Sequence, residues 1–191
     1  MSSPLQTSRL TLRPYTLADI PALVPLIGAR EVAATTLRIP HPYTEDIARE
    51  FIALAEKDEV SGQCVRRAII QRESGALCGG VGLQIESEHR RAELGYWIGM
   101  PYWGNGFATE AAMAMVKHGF ETLALQRIFA SYVPRNVASG RVLQKIGMRH
   151  EGYLRAHILK WGEFMDLEMY GMLAADWKGD PAASPGRPLQ P

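Results

Sequence analysis

The chain has little of what marks a secreted, membrane-bound or nucleic-acid-binding protein. Cysteine occurs only at Cys64 and Cys78, too few for a disulfide scaffold, and both are expected as small apolar residues in or beside strands. Neither sign of charge prevails: 21 Lys+Arg against 20 Asp+Glu leave a net charge of +1. With no basic run there is no electrostatic footprint for nucleic acid or an anionic membrane. No apolar stretch approaches the roughly 20 residues that span a bilayer, and the opening MSSPLQTSRL lacks the apolar core of a secretory signal. The expected location is the cytoplasm. The histidines, at 41, 89, 118, 150 and 157, show no HExxH or paired Cys/His spacing, so no metal is expected.

What is present is enough apolar matter for one sizeable core: 191 residues with 47% hydrophobic content favour a single domain, taken as residues 1–177. Alternation through Leu10 and Leu12 predicts a strand, and helical spacing through Leu23, Leu26 and Ile27 predicts a helix. Thr44 is a good N-cap for a second amphipathic helix carrying Ile47, Phe51 and Ile52. Cys64 to Ile70, Leu77 to Ile85 and Ala92 to Ile98 read as an antiparallel meander. There follow a helix over about 106–123, a strand over 127–133, a helix over 137–146 and strands near 150–158 and 164–171, with boundaries good to about ±2–4 residues. The fold class is α/β (α+β). The tail 178–191, with four Pro and two Gly, cannot repay its ordering entropy and is expected to be disordered.

The most informative stretch is Glu93-Leu-Gly-Tyr-Trp-Ile-Gly-Met-Pro-Tyr-Trp-Gly-Asn-Gly-Phe-Ala-Thr-Glu110, where a strand enters a glycine-punctuated turn that opens a helix. Gly104 and Gly106 remove side chains where a phosphate must approach the main chain. The first-turn amides of the helix are unpaired donors at the positive end of its dipole. There is no Gly-Lys-Ser/Thr of a P-loop and no GxGxxG in a close βαβ context. The alternative is a hairpin-like turn at Asn105-Gly106 that merely starts a helix.

This stretch resembles the GNAT superfamily of N-acetyltransferases, in its ribosomal-protein-acetylating RimJ/RimL-like branch. That family carries Gln/Arg-x-x-Gly-x-Gly/Ala at its pyrophosphate loop, and Trp103-Gly104-Asn105-Gly106-Phe107-Ala108 matches it except at the first place. The resemblance runs from about Leu10 to Leu173. It implies a mixed, mostly antiparallel sheet of about seven strands flanked by about four helices, with acetyl-CoA as cosubstrate. Ile98, Gly99, Met100 and the run Trp103 to Thr109 (Trp103, Gly104, Asn105, Gly106, Phe107, Ala108, Thr109) would hold the cosubstrate, with Asn136 and Ser139.

The stretch Pro134 to Met148 looks like the family's Asn-x-x-Ser helix, with Gly147 at its end. In that family the Asn contacts the pantetheine arm and the Ser hydroxyl lies near the sulfur. Helix capping by Asn136 and Gly147 accounts for the same residues in structural terms. The two strands around Gly162 border the acceptor pocket in the resembled branch. His157 there carries an imidazole, a side-chain type suited to proton transfer near neutrality, and reads equally as a surface histidine.

Acetyl transfer to an amine needs an acceptor for the ammonium proton. Glu93, at the start of its strand, is the leading candidate, with an outward-facing charge as the alternative. An amide of Ile98, Gly99 or Met100 would stabilise the developing oxyanion, an effect worth about 3 kcal/mol. Ser139 would protonate the departing thiolate, with Tyr153 and Tyr170 as alternatives. The acceptor is a protein N-terminal amine on the branch resemblance. A small amine, such as a polyamine, amino acid or antibiotic, and a non-catalytic acyl-CoA-binding module stay open, as does the oligomeric state, a homodimer included.

Overall fold

The computed structural model describes residues 3–179. In chain order the elements are β1 (Leu5–Gln6), β2 (Leu10–Arg13), α1 (Ile20–Ile27), α2 (Arg30–Thr35), α3 (Glu45–Val60), β3 (Cys64–Gln71), β4 (Leu77–Glu86) and β5 (Arg91–Ile98). There follow α4 (Phe107–Glu121), β6 (Arg127–Tyr132), α5 (Val137–Lys145), β7 (Arg149–Lys160) and β8 (Glu163–Leu173). Eight strands form one sheet in the order β1-β2-β3-β4-β5-β6-β8-β7. Every neighbouring pair is antiparallel except β5 and β6. The mixed, mostly antiparallel sheet expected with about seven strands and about four helices has eight strands and five helices among the described residues. The additions are the two-residue β1 and the six-residue α2, both too short to show a period in sequence. The tail expected to be disordered lies, but for Lys178 and Gly179, outside the described residues.

The sheet separates two apolar layers. On one face Leu10, Leu12, Leu83, Ala92 and Leu94 pack beneath α4 and α5 through Ala112, Met115, Val116 and Leu143. On the other, Ala68, Ile70 and Trp97 meet Leu23 and Ile27 of α1, Val32 of α2 and Ile52 of α3. Strand alternation assigns Ala92, Leu94, Tyr96 and Ile98 to the first face and Glu93 and Trp97 to the second. Thr44 caps α3, its hydroxyl accepting the Ile47 amide at 3.3 Å, as its place in sequence predicts.

What positions the site is an interruption in the sheet. β5 pairs with β4 along its whole length, Glu86↔Arg91 to Gly79↔Ile98. With β6 it pairs only through Arg91↔Arg127, Ala92↔Ile128 and Glu93↔Phe129. Beyond Glu93 the two strands part, and Leu94 to Ile98 present one open backbone edge in the middle of the sheet.

Candidate active site

The open edge leads directly into the glycine turn. Gly104 and Gly106 have φ of 79° and 78°, the left-handed region that costs a residue with a Cβ about 1–2 kcal/mol. Gly106 is the N-cap of α4 and brings no side-chain cap. Among the described residues nothing accepts the backbone amide protons of residues 104–109. Six consecutive donors at the positive end of a 15-residue helix form an anion cradle. The side chains of the turn fold away from it. Asn105 Nδ2 donates to the carbonyls of Tyr102 and Trp103 at 3.1 and 3.3 Å, and Phe107 is buried in the core. The Trp103 indole N–H donates to Ile98 O at 2.6 Å. Trp103 thus secures the turn against β5 in the place where the resembled signature has a polar side chain. Ala108 and Thr109 are half-buried in the first turn of α4.

The three amides considered for the oxyanion separate. Gly99 N–H donates to Cys78 O at 2.8 Å, so it is spent within the sheet, a correction to the expectation for that residue. Backbone donors alternate along a strand, so Trp97 also faces β4, while Tyr96 and Ile98 turn their amides to the open edge. Met100, 41% exposed, follows the strand in a short 3₁₀ turn.

Glu93 stands at the fork, where β5 and β6 part. Arg38, from the connection between α2 and α3, closes an ion pair on its carboxylate, and the Ser131 hydroxyl donates to Glu93 Oε1 at 3.4 Å. On the opposite face α5 begins with Asn136, whose Oδ1 accepts the Ser139 amide at 3.2 Å while its Nδ2 donates to Thr35 O at 3.2 Å. Both ends of that side chain serve capping and the junction with α2 in this state. Ser139 Oγ lies 2.8 Å from the hydroxyl of Tyr96, which also donates to Ser139 O at 3.1 Å. Burial pushes the Tyr96 phenol up to about 12 against the weaker opposing pull of its Ser139 hydrogen bond, so at neutral pH Tyr96 is a donor and not a phenolate. The sequence reading passed over Tyr96 because, in a strand of period two, it looks like another inward aromatic.

Two further expected residues come from the last hairpin. His157 and Tyr153 are on β7, the edge strand beyond β8, and both are exposed. His157 falls in the irregular stretch between Leu154 and Ile158, and the Tyr153 hydroxyl donates to Asp166 of β8. β6 and β8 lie between that strand and β5. Tyr170 is buried, its hydroxyl accepting from Gln144 at 3.2 Å.

At the other rim of the cradle the chain returns to α4. Glu110 accepts from the Thr7 hydroxyl at 2.6 Å, the Ser8 hydroxyl at 3.0 Å, the Arg9 amide at 2.8 Å and Arg9 Nε at 2.7 Å. Burial alone would raise its carboxyl, but these bonds together outweigh it and hold Glu110 below the usual carboxylate range. Among the described residues no group of three or more His, Cys, Asp or Glu is placed to hold a metal ion, and no helix is long and apolar enough to cross a membrane.

A strand split from its neighbour, running into a side-chain-free helix mouth, can hold an extended chain that ends in phosphates. The family model of the acetyltransferase (GNAT) domain matches residues 9–149. The chain belongs to the GNAT acetyltransferases. Its similarity to the uncharacterized N-acetyltransferase p20 of Bacillus licheniformis is 34% identity over 177 residues, 92% of this chain and 98% of that one. It is 34% identical over 94 residues to the [ribosomal protein uS5]-alanine N-acetyltransferase of Escherichia coli K12, spanning 49% of this chain and 45% of that enzyme. A GNAT acetyltransferase structure from Bacillus anthracis superposes with a TM-score of 0.79 at 27% identity, covering 91% of this chain and 99% of that one. RimL, a ribosomal L7/L12 alpha-N-protein acetyltransferase solved with coenzyme A, shares the fold with a TM-score of 0.82 at 18% identity, covering 90% and 98%. This GNAT chain is an acetyl-CoA-dependent acyltransferase of the N-acetyltransferase kind, with RimJ/RimL-like relatives.

Proposed function

We propose that this GNAT enzyme acetylates the α-amine of a protein N-terminus, of the ribosomal-protein type. The observation that carries the chemistry is the open edge of β5, with Glu93 on one face, Ser139 on the other and the cradle at its end. The amides of residues 104–109 hold the diphosphate of acetyl-CoA, whose thioester is the acetyl donor. The amides of Tyr96 and Ile98 meet the rest of the extended molecule and polarise the acetyl carbonyl. Glu93 accepts the proton that the acceptor ammonium must lose, with Arg38 and Ser131 holding its carboxylate in place. Ser139 protonates the departing thiolate, and Tyr96 is the positioning residue behind it. Acid and base on opposite faces let a proton leave the amine on one side while another reaches sulfur on the other.

A protein acceptor is supported by the relatives named for ribosomal-protein N-termini. The buried, unpaired thiols of Cys64 and Cys78 support a cytosolic site of action. The exposure of most of the edge strand β7 supports a homodimer, which sedimentation tests. The function itself is tested by thiol release from acetyl-CoA with a panel of N-terminal peptides and a panel of small amines. Release with peptides is expected. Turnover with polyamines or amino acids alone would move the acceptor to the small-amine class, and binding without release on either panel would leave an acyl-CoA-binding module.

A further inference from the structure

The cradle as described has backbone donors but no cation, because Trp103 fills the place where the resembled signature carries a polar side chain and turns its only donor inward to Ile98 O. Glu110 meanwhile sets a carboxylate in the first turn of the same helix, where it competes with an incoming anion for the helix dipole and repels it. One side chain answers both deficits. Arg9, just before β2, spends Nε on Glu110 and Nη1 on Asn105 O at 2.9 Å, with its guanidinium 4.9 Å from the centre of the Phe107 ring. Its Nη2 has no acceptor among the described residues and lies 3.5 Å from where a Cβ on Gly106 would stand, at the N-cap of α4.

We propose that Arg9 is a phosphate-binding residue of the acetyl-CoA site, its Nη2 reaching from the edge of β2 to the diphosphate held at Gly106. Resting on the acetyl-CoA reading of the cradle, this gives the Thr7–Arg9 segment a function besides packing. Four donors neutralise Glu110, and the one guanidinium edge left over faces the anion. The planar fork suits the task, since a guanidinium binds a carboxylate and a phosphate through different N–H groups at once. Arg9 is 50% exposed, so its contribution is screened and moderate.

Two isosteric changes separate ligand binding from a structural role. Arg9→Gln removes the charge at the cradle. Glu110→Gln keeps an oxygen for Thr7, Ser8 and the Arg9 amide while removing the competing carboxylate and releasing Arg9 Nε from its acceptor. Calorimetric titration with coenzyme A should show Arg9→Gln weakened by roughly three- to tenfold, with a shallower dependence on salt, and Glu110→Gln equal to the parent or tighter. The loss should persist with dephospho-coenzyme A, which keeps the diphosphate and lacks the 3′-phosphate, and Arg9→Lys should recover part of it. Equal weakening by both variants would assign the pair to scaffolding, and a loss confined to coenzyme A would move Arg9 off the diphosphate; either overturns the proposal. Thermal midpoints identify a variant that fails to fold, in which case Arg9→Lys against Glu110→Gln carries the comparison. A parent protein that takes up no coenzyme A would refute the acetyl-CoA reading itself, whereas an unaffected Arg9→Gln beside a binding parent refutes only the role of Arg9.

Discussion

Removing the Tyr96 hydroxyl tests whether Ser139 acts as the acid and whether Tyr96 controls it. The phenol carries one proton and faces two acceptors on the same residue, Ser139 Oγ at 2.8 Å and Ser139 O at 3.1 Å. When that proton goes to the carbonyl, the serine donates back to Tyr96 and its own proton is occupied. When it goes to Oγ, the serine proton is free to turn toward the sulfur. Tyr96→Phe abolishes the second arrangement as a held state, and loses about 1 kcal/mol of orientation, or roughly fivefold in kcat. Ser139→Ala removes the acid itself and is expected to cost about a hundredfold, the lower end of general acid catalysis. The double variant should then be no slower than Ser139→Ala, because Tyr96 has nothing left to orient. Stopped-flow thiol release at saturating acetyl-CoA and peptide gives the four rate constants, and calorimetry should show acetyl-CoA affinity unchanged throughout. Costs that multiply in the double variant would refute the arrangement, as would full turnover in Ser139→Ala.

Further expectations follow from the same geometry. Gly106→Glu places a carboxylate against the diphosphate at about 5 Å, a repulsion of roughly 3 kcal/mol at the effective dielectric of a protein surface; calorimetry should show at least a hundredfold loss of coenzyme A affinity, and parental affinity would refute the cradle. Glu93→Gln should slow turnover most at low pH, where neutral amine is scarce, so the ratio of parent to variant rate falls as pH rises; a ratio independent of pH would remove Glu93 as the base. Burial raises Tyr96 and Tyr43 from 10.0 to about 12 and Cys64 from 9.0 to about 11. The folded state therefore holds these protons longer than the unfolded state, and stability present below pH 9 is lost as pH rises to about 12. Lys160, lowered from 10.5 by burial, acts in the opposite sense up to 10.5, so the net fall in the urea midpoint should steepen above that value. A midpoint that is flat between pH 9 and 12 would contradict these burial effects.

The legible parts of this protein are the local ones. Thr44 before an amphipathic run, Asn136 three residues before Ser139, and Gly104 and Gly106 after a strand each specify a helix start through bonds that close within one turn. α3, α5 and the mouth of α4 were therefore readable from spacing alone, as was the meander of β3, β4 and β5. What spacing cannot encode is which distant segments share an edge. The parting of β5 from β6 after Glu93, which converts an ordinary strand into an open binding edge, belongs to a strand order in which β8 takes the other side of β6. Tyr96 meets Ser139 across 43 positions and Arg9 meets Glu110 across 101, contacts that only strand order brings about. The same order carries His157 and Tyr153 to the outer strand. Sequence by itself determined that this chain offers unpaired amides to an anion at a helix mouth, because those donors are a property of the backbone there; the tertiary structure decided which side chains stand around that anion, because the sheet alone sets their neighbours.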